Sequence, residues 1–116
     1  MSKFTIWHNP RCSKSRQTLA LLQEKGIEPE VFEYLANPIK ESELTSVLSK
    51  LGLTASGLMR KKEDAYKELG LADKADDEKA LVAAMISHPK LIERPIVITG
   101  NQAVLGRPPE NVLELL

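Results

Sequence analysis

The stretch FTIWHNPRCSKSR, residues 4–16, joins a short apolar run to a polar turn and then to the start of a helical pattern. The apolar run predicts a strand over residues 4–7, and the spacing that follows predicts a helix over residues 13–25, ended by Gly26. Alternating side chains then predict a second strand over residues 31–34. A strand, a helix and a strand in close succession form a βαβ unit, so the two strands should be parallel.

The middle of the chain predicts only helices. Asn37-Pro38 breaks the chain after the βαβ unit. Four segments with apolar spacing or a capping residue then follow, at residues 41–51, 54–60, 63–69 and from Asp76 or Asp77 to His88. Thr54 is the predicted cap of the second of these helices, and Pro89 closes the fourth.

The C-terminal part predicts a β-hairpin followed by a helix. Residues 96–99 form a β-branched run that is typical of a buried strand. Gly100-Asn101 is typical of a two-residue hairpin turn, which makes residues 103–105 the partner strand. Pro108 suits the first turn of a last helix. The side chains of that helix expected to face inward are Val112, Leu113 and Leu116.

Two parallel strands and a terminal hairpin predict an α/β fold with a four-stranded mixed sheet. This order of elements is the layout of the thioredoxin-like fold, with a helical insertion at about residues 38–92 before the C-terminal β-hairpin. A chain of 116 residues with 42% hydrophobic composition suits a single domain over residues 1–116.

Composition limits the possible classes of function. The chain has 16 basic and 16 acidic residues, and this zero net charge argues against broad nucleic-acid binding. One cysteine cannot form an internal disulfide, and with two histidines besides we expect no metal site. No signal segment and no apolar run of about 18 residues is present, so we expect a cytoplasmic protein with no membrane partner.

The only cysteine, Cys12, falls where the first strand gives way to the first helix. The free N–H groups and positive dipole end of a helix N-terminus favour the thiolate, which is the nucleophilic form, and Arg11 and Arg16 add positive charge. The same donors can bind an oxyanion. We therefore interpret Cys12 as a nucleophile in an anion-binding turn. The alternative is a small buried hydrophobic residue.

Two polar neighbours bear on this interpretation. Ser15 occupies the position at which a dithiol oxidoreductase carries its second cysteine, so any redox cycle must use an outside thiol such as glutathione. His8, four residues before Cys12, could pair with the thiolate, orient the loop or simply close the strand.

Arg94 and Arg107 each precede a proline, which favours an extended backbone. They flank the predicted hairpin, whose open ends meet, so they should lie close together. Two guanidinium groups repel each other unless an anion lies between them. The alternative is that Glu93 or Glu110 neutralises them at the surface. By itself, Arg60 would be an ordinary solvated arginine.

Four segments carry a resemblance to a known family. They are WHNPRCSKSR at residues 7–16, LMRKKE at 58–63, ERPIV at 93–97 and GRPPE at 106–110. Together they resemble the glutaredoxin-linked arsenate reductase family, in the family's order and spacing over essentially the whole chain.

The resemblance implies a role for each matching residue. Cys12 would be the nucleophile that attacks arsenic, and Pro95 would be the cis-proline of the fold. The residues that would bind arsenate and the thiolate–arsenic adduct are Arg60, Arg94 and Arg107. The residues that would support the thiolate or its loop are His8, Asn9, Arg11, Ser15 and Arg16.

The resemblance also implies the reaction and its partners. Arsenate, or another oxyanion, would be the substrate and glutathione the co-substrate, with glutaredoxin resolving the glutathione mixed disulfide that results. No bound cofactor is expected, and the protein should act as a monomer.

Two other functions remain open on the residues. An Spx-like regulatory module would bind RNA polymerase, although such proteins usually carry Cys-x-x-Cys and lack the three arginines. A glutathione-dependent thiol oxidoreductase would instead attack sulfur with Cys12 and hold a peptide carboxylate with its arginines.

Overall fold

The computed structural model describes residues 3–74, 76–106 and 108–116. The strands are β1 (Phe4–Trp7), β2 (Glu30–Phe32), β3 (Ile96–Thr99) and β4 (Gln102–Leu105). The α-helices are α1 (Ser13–Glu24), α2 (Glu41–Leu51), α3 (Ala55–Leu58), α4 (Asp64–Glu68) and α5 (Glu78–Ser87). Among the described residues, three 3₁₀ helices span Leu71–Lys74, Pro89–Leu91 and Pro109–Leu115.

Contacts between Cα atoms divide the chain into two units. The first unit comprises Met1–Asn37 and Arg94–Leu116, and the second comprises Pro38–Glu93. The first contains the sheet, and the second contains α2 to α5. That the whole chain forms one domain with a helical insertion stays a prediction. Within the described residues, no helix is long and apolar enough to cross a membrane.

The first unit is built on a sheet with the strand order β2-β1-β3-β4. Strand β1 is parallel to β2 and antiparallel to β3, and β3 is antiparallel to β4. Ile6 in β1 lies opposite Val97 in β3, and both side chains are fully buried with Leu22 from α1. The predicted α/β class, βαβ unit and four-stranded mixed sheet are confirmed.

Local signals placed most element boundaries within a residue or two. The two-residue turn at Gly100 has φ 56°, in the left-handed region that favours glycine. Strand β2 is shorter than predicted and begins at Glu30, because the chain turns after Phe32, where Ala36 N–H donates to the Glu33 carbonyl oxygen (3.0 Å). Tyr34 therefore lies beyond the strand.

In the second unit the predicted helix caps are confirmed. The Thr54 side chain accepts a hydrogen bond from Gly57 N–H (3.3 Å) at the start of α3, and Asp77 accepts one from Ala80 N–H (3.1 Å) at the start of α5. Helix α3 ends earlier than predicted because Met59 is extended and pairs with Ile92. The sequence did not predict this pairing or the 3₁₀ helices.

The C-terminal helix differs from its prediction. It is a 3₁₀ helix rather than an α-helix, so side chains three residues apart share a face. Pro109 and Val112 are buried and Leu115 packs against the core. The expected inward positions of Leu113 and Leu116 are wrong, because these side chains are 40% and 55% exposed. Only the predicted position of Val112 is confirmed.

Candidate active site

Cys12 occupies the N-cap position of α1, at the end of the loop that leaves β1. Two local hydrogen bonds to Asn9 close this loop. Cys12 N–H donates to the Asn9 carbonyl oxygen (3.0 Å), and Arg11 N–H donates to Asn9 Oδ1 (3.0 Å). The residue is 8% exposed, so its sulfur lies largely within the protein at the predicted junction of strand and helix.

The surroundings of Cys12 favour the thiolate. Burial raises the pKa of the thiol, since it disfavours the charged form. The N–H of Ser15, the Arg94 side chain and the N–H of Lys14 outweigh burial, and the pKa lies below its ordinary value. Both N–H groups lie in the first turn of α1, where the positive end of the helix dipole also favours a negative charge on the sulfur. The thiolate therefore forms at a lower pH than that of a free cysteine.

His8 and Ser15 form a buried polar pair beside this loop. His8 Nδ1 lies 2.6 Å from Ser15 Oγ, and Asn9 N–H donates to the same oxygen (3.0 Å). Burial lowers the pKa of His8, Glu33 raises it and Arg16 lowers it further, with a net decrease. The lowered pKa favours the neutral form of His8, and these contacts favour orienting the loop over an ion pair with the thiolate.

The base of the hairpin brings Arg94 to the same unit as Cys12. The Arg94–Pro95 peptide bond is cis, as the resemblance implied. Gly106 N–H donates to the Pro95 carbonyl oxygen (2.9 Å), so the two ends of the hairpin are joined. Arg107 lies outside the described residues, and its predicted closeness to Arg94 stays a prediction.

Arg60 belongs to the second unit and is held by two carboxylates there. Its Nη1 lies 3.2 Å from Glu63 Oε1, and its Nε lies 3.8 Å from Glu93 Oε1. The backbone N–H of Arg60 donates to the Leu91 carbonyl oxygen (2.6 Å). Arg60 is thus not an ordinary solvated arginine, and its assignment to the oxyanion site stays a prediction.

Comparison with known proteins shows the family. A family model described as ArsC matches residues 7–115. The chain belongs to the ArsC family.

Individual ArsC relatives extend over nearly the full chain. An arsenate reductase of Neisseria meningitidis serogroup A is 51% identical and covers 100% of both chains. The uncharacterized protein YfgD of Escherichia coli K12 is 56% identical over 96% of this chain and 94% of its own. A solved structure of an arsenate reductase from Vibrio cholerae has a TM-score of 0.95 and 52% identity, covering 99% of this chain and 98% of that one. The thioredoxin-like fold of this family is therefore confirmed.

The structure places further residues beside the candidate site that sequence reasoning missed. Thr18 is fully buried, and its Oγ1 donates to the Lys14 carbonyl oxygen (2.8 Å) and lies 3.4 Å from the Gly106 carbonyl oxygen. Ser15, Thr18 and Leu22 share the buried face of α1. The helical spacing of two polar residues with Leu22 was the available sequence signal that Thr18 is buried. Glu33, which acts on His8, had no signal in the sequence.

Among the residues that the structure describes, no group of three His, Cys, Asp or Glu side chains could hold a metal ion. Arg11 and Arg16 are exposed, and the Arg16 charge lowers the pKa of His8.

Replacing Arg94 by glutamine is expected to raise the pKa of Cys12, because burial would then oppose the thiolate with one fewer compensating interaction. The thiolate fraction at neutral pH would fall, and so would the rate of alkylation by iodoacetamide. Ultraviolet absorbance of the thiolate during a pH titration measures the change directly. Lys25→Gln removes an exposed charge at the far end of α1 and serves as the control. An unchanged pKa in Arg94→Gln would contradict the assignment.

Proposed function

We propose that this protein reduces arsenate to arsenite through a covalent adduct on Cys12, using glutathione and glutaredoxin as the source of electrons. The observation that carries the proposal is the position of the only cysteine, Cys12, at the N-cap of α1, where Arg94 and two backbone N–H groups lower its pKa. Similarity to relatives named arsenate reductase supports the choice of substrate.

The first step is binding of the oxyanion. Arsenate carries one to two negative charges near neutral pH, and a helix N-terminus with an adjacent guanidinium is a suitable receptor. Arg94 and the N–H groups of Lys14 and Ser15 act on the Cys12 sulfur, and we assign them the same role toward the oxyanion. The family resemblance adds Arg60 and Arg107 as further ligands of the oxyanion.

The second step forms the adduct. The Cys12 thiolate attacks arsenic, a sulfur–arsenic bond forms, and one arsenate oxygen takes up protons and leaves as water. The arginines offset the negative charge that would otherwise repel the thiolate from the oxyanion. The His8–Ser15 pair acts here by holding the loop, and Asn9 acts by making its turn.

The remaining steps transfer two electrons. Glutathione forms a second sulfur–arsenic bond and displaces another oxygen as water. The glutaredoxin thiolate then attacks the glutathione sulfur, and the electron pair of that sulfur–arsenic bond stays on arsenic. Arsenic falls from As(V) to As(III), and glutathione and glutaredoxin are oxidised to a mixed disulfide, which a second glutathione resolves to glutathione disulfide and free glutaredoxin thiol. Water finally releases arsenite and restores the Cys12 thiol.

The chain composition supports the need for outside thiols. Cys12 is the only cysteine, so a relay between protein thiols is excluded. Ser15 stands where a resolving cysteine would be and is committed to His8 and Asn9. Because one chain supplies every assigned residue, the proposal requires only a monomer.

A coupled assay with NADPH, glutathione reductase, glutathione and glutaredoxin tests the proposal. Oxidation of NADPH is expected to require arsenate, glutathione and glutaredoxin together. In the same assay Arg60→Ala and Arg107→Ala are expected to raise KM for arsenate about fivefold or more, since each removes a charged ligand. Turnover of glutathione mixed disulfides without arsenate would instead favour the thiol oxidoreductase. If neither arsenate nor mixed disulfides are turned over, the assignment of the protein as an enzyme is wrong.

A further inference from the structure

A groove of about 290 Å³ opens beside the loop that leads to Cys12, wholly within the first unit. One wall is formed by residues 8–11, and the other by Glu33, Leu35 and Ala36. Cys12 follows this first wall directly, and its N–H is bonded to the Asn9 carbonyl oxygen (3.0 Å). The groove is therefore lined by Arg11, the residue that directly precedes Cys12.

The position of the groove follows from the sheet. Both walls continue from the carboxyl ends of the parallel strands β1 and β2, where α/β proteins bind ligands. His8 N–H donates to the Phe32 carbonyl oxygen (2.9 Å), and beyond this hydrogen bond the two segments separate. The turn at Glu33 is closed by Ala36 N–H and by the Asn37 side chain, each 3.0 Å from the Glu33 carbonyl oxygen.

The two walls carry opposite charges. Arg11 lies on one and Glu33 on the other, and both are exposed. In the described part of the chain, neither side chain belongs to an ion pair. Leu35 is 40% exposed and gives the groove an apolar surface between polar groups. A ligand with an ammonium group, a carboxylate and a short apolar stem would match this arrangement.

We infer that this groove binds the charged ends of the thiol co-substrate, a zwitterionic thiol peptide of the glutathione class. Glu33 receives its ammonium group and Arg11 one of its carboxylates, while its thiol extends past Arg11 to the adduct on Cys12. The inference rests on the proposed function for the identity of the ligand, and it gives Arg11 a role in binding the thiol co-substrate.

Calorimetric titration with S-methylglutathione tests the binding alone, because the capped sulfur cannot react. Glu33→Gln and Arg11→Gln are each expected to raise Kd about two- to fivefold, as for the loss of an exposed charge pair. Glu24→Gln and Lys25→Gln remove exposed charges of the same signs away from the groove and should leave Kd unchanged. Equal Kd values in all four variants, or no binding by the unaltered protein at millimolar ligand, overturns the inference.

Thiols that carry a single charged group test which groove residue binds the ammonium group and which binds the carboxylate. With cysteamine as the thiol in turnover, only Glu33→Gln should raise KM for the thiol, and with mercaptoacetate only Arg11→Gln should. Glu33→Gln is the sharper variant, because removing a negative charge cannot weaken oxyanion binding, and KM for arsenate should not rise. The reverse pattern of KM changes would contradict the assignment.

The two readouts separate this inference from the proposed function. If arsenate is not reduced but S-methylglutathione binding weakens in the two groove variants, the groove assignment stands and the proposed substrate is wrong. If arsenate is reduced and neither variant alters binding or KM for the thiol, the groove assignment alone fails.

Discussion

Replacing Cys12 by serine is expected to abolish arsenate reduction, with kcat/KM falling by about a thousandfold or more, as for loss of an activated nucleophile. The N–H groups and Arg94 lower the pKa of the Cys12 thiol and so favour its thiolate. A serine hydroxyl has a far higher pKa and stays neutral in the same surroundings. The coupled assay measures the loss, and mass spectrometry should detect no arsenic adduct on the variant.

Two further measurements test whether the loss of activity in Cys12→Ser comes from the missing nucleophile alone. Arsenate binding by calorimetry should survive in Cys12→Ser, within about threefold, because Arg94 and the helix N-terminus remain. Ser13→Ala alters the neighbouring exposed residue and should retain activity within about twofold. Activity in Cys12→Ser similar to that of Ser13→Ala would refute the covalent mechanism.

Replacing Gly106 by alanine is expected to lower the free energy of unfolding by about 2–3 kcal/mol, the effect of overpacking a tight site. An added Cβ would lie 2.5 Å from Thr18 Oγ1 and 2.8 Å from Pro95 Cγ. Neither atom can move away easily, since Thr18 is fully buried and hydrogen-bonded to Lys14 and Pro95 is a buried ring. Gly106 does not have positive φ, so the cost is steric. Urea unfolding measures it.

The Gly106→Ala substitution should affect the active site as well as stability. Pro95 accepts a hydrogen bond from Gly106 N–H and directly follows Arg94. Displacing the Pro95 ring should therefore move Arg94, weaken its stabilisation of the Cys12 thiolate and raise the pKa of Cys12. Gly57→Ala is the matched control, because its added Cβ would lie 3.5 Å or more from its neighbours and α3 tolerates alanine.

A double variant isolates the contact itself. Thr18→Ala removes the Oγ1 and Cγ2 atoms that crowd Gly106→Ala, so the combined loss of stability should be smaller than the sum of the two separate losses. Strict additivity, or a Gly106→Ala protein as stable as the Gly57→Ala control, would show that the close approach does not determine stability.

The parts of the fold that were predictable have their causes nearby in the chain. Strand β1, helix α2 and the turn at Gly100 follow from apolar spacing and turn chemistry within a few residues. The caps Thr54 and Asp77 each act on an N–H three residues later. The 3₁₀ form of the last helix was not predictable, because packing of every third side chain against the core decides it.

The candidate site shows the same division. The sequence identified Cys12 and Arg94 by residue type and position, and the neighbours His8 and Ser15 by their spacing from the cysteine. It left open whether His8 pairs with the thiolate or orients the loop. The structure favours the second, because burial lowers the pKa of His8 and its Nδ1 lies against Ser15.

The sequence by itself determined the order of strands and helices, the nucleophile candidate and the absence of a second cysteine that could resolve a disulfide, because these depend on residue type and short-range spacing. Only the tertiary structure decided the burial that lowers the pKa of His8, the close packing of Gly106 on Thr18, and the groove between Arg11 and Glu33. Burial, steric contact and opposed charges depend on which distant segments meet in space, and no local pattern specifies that.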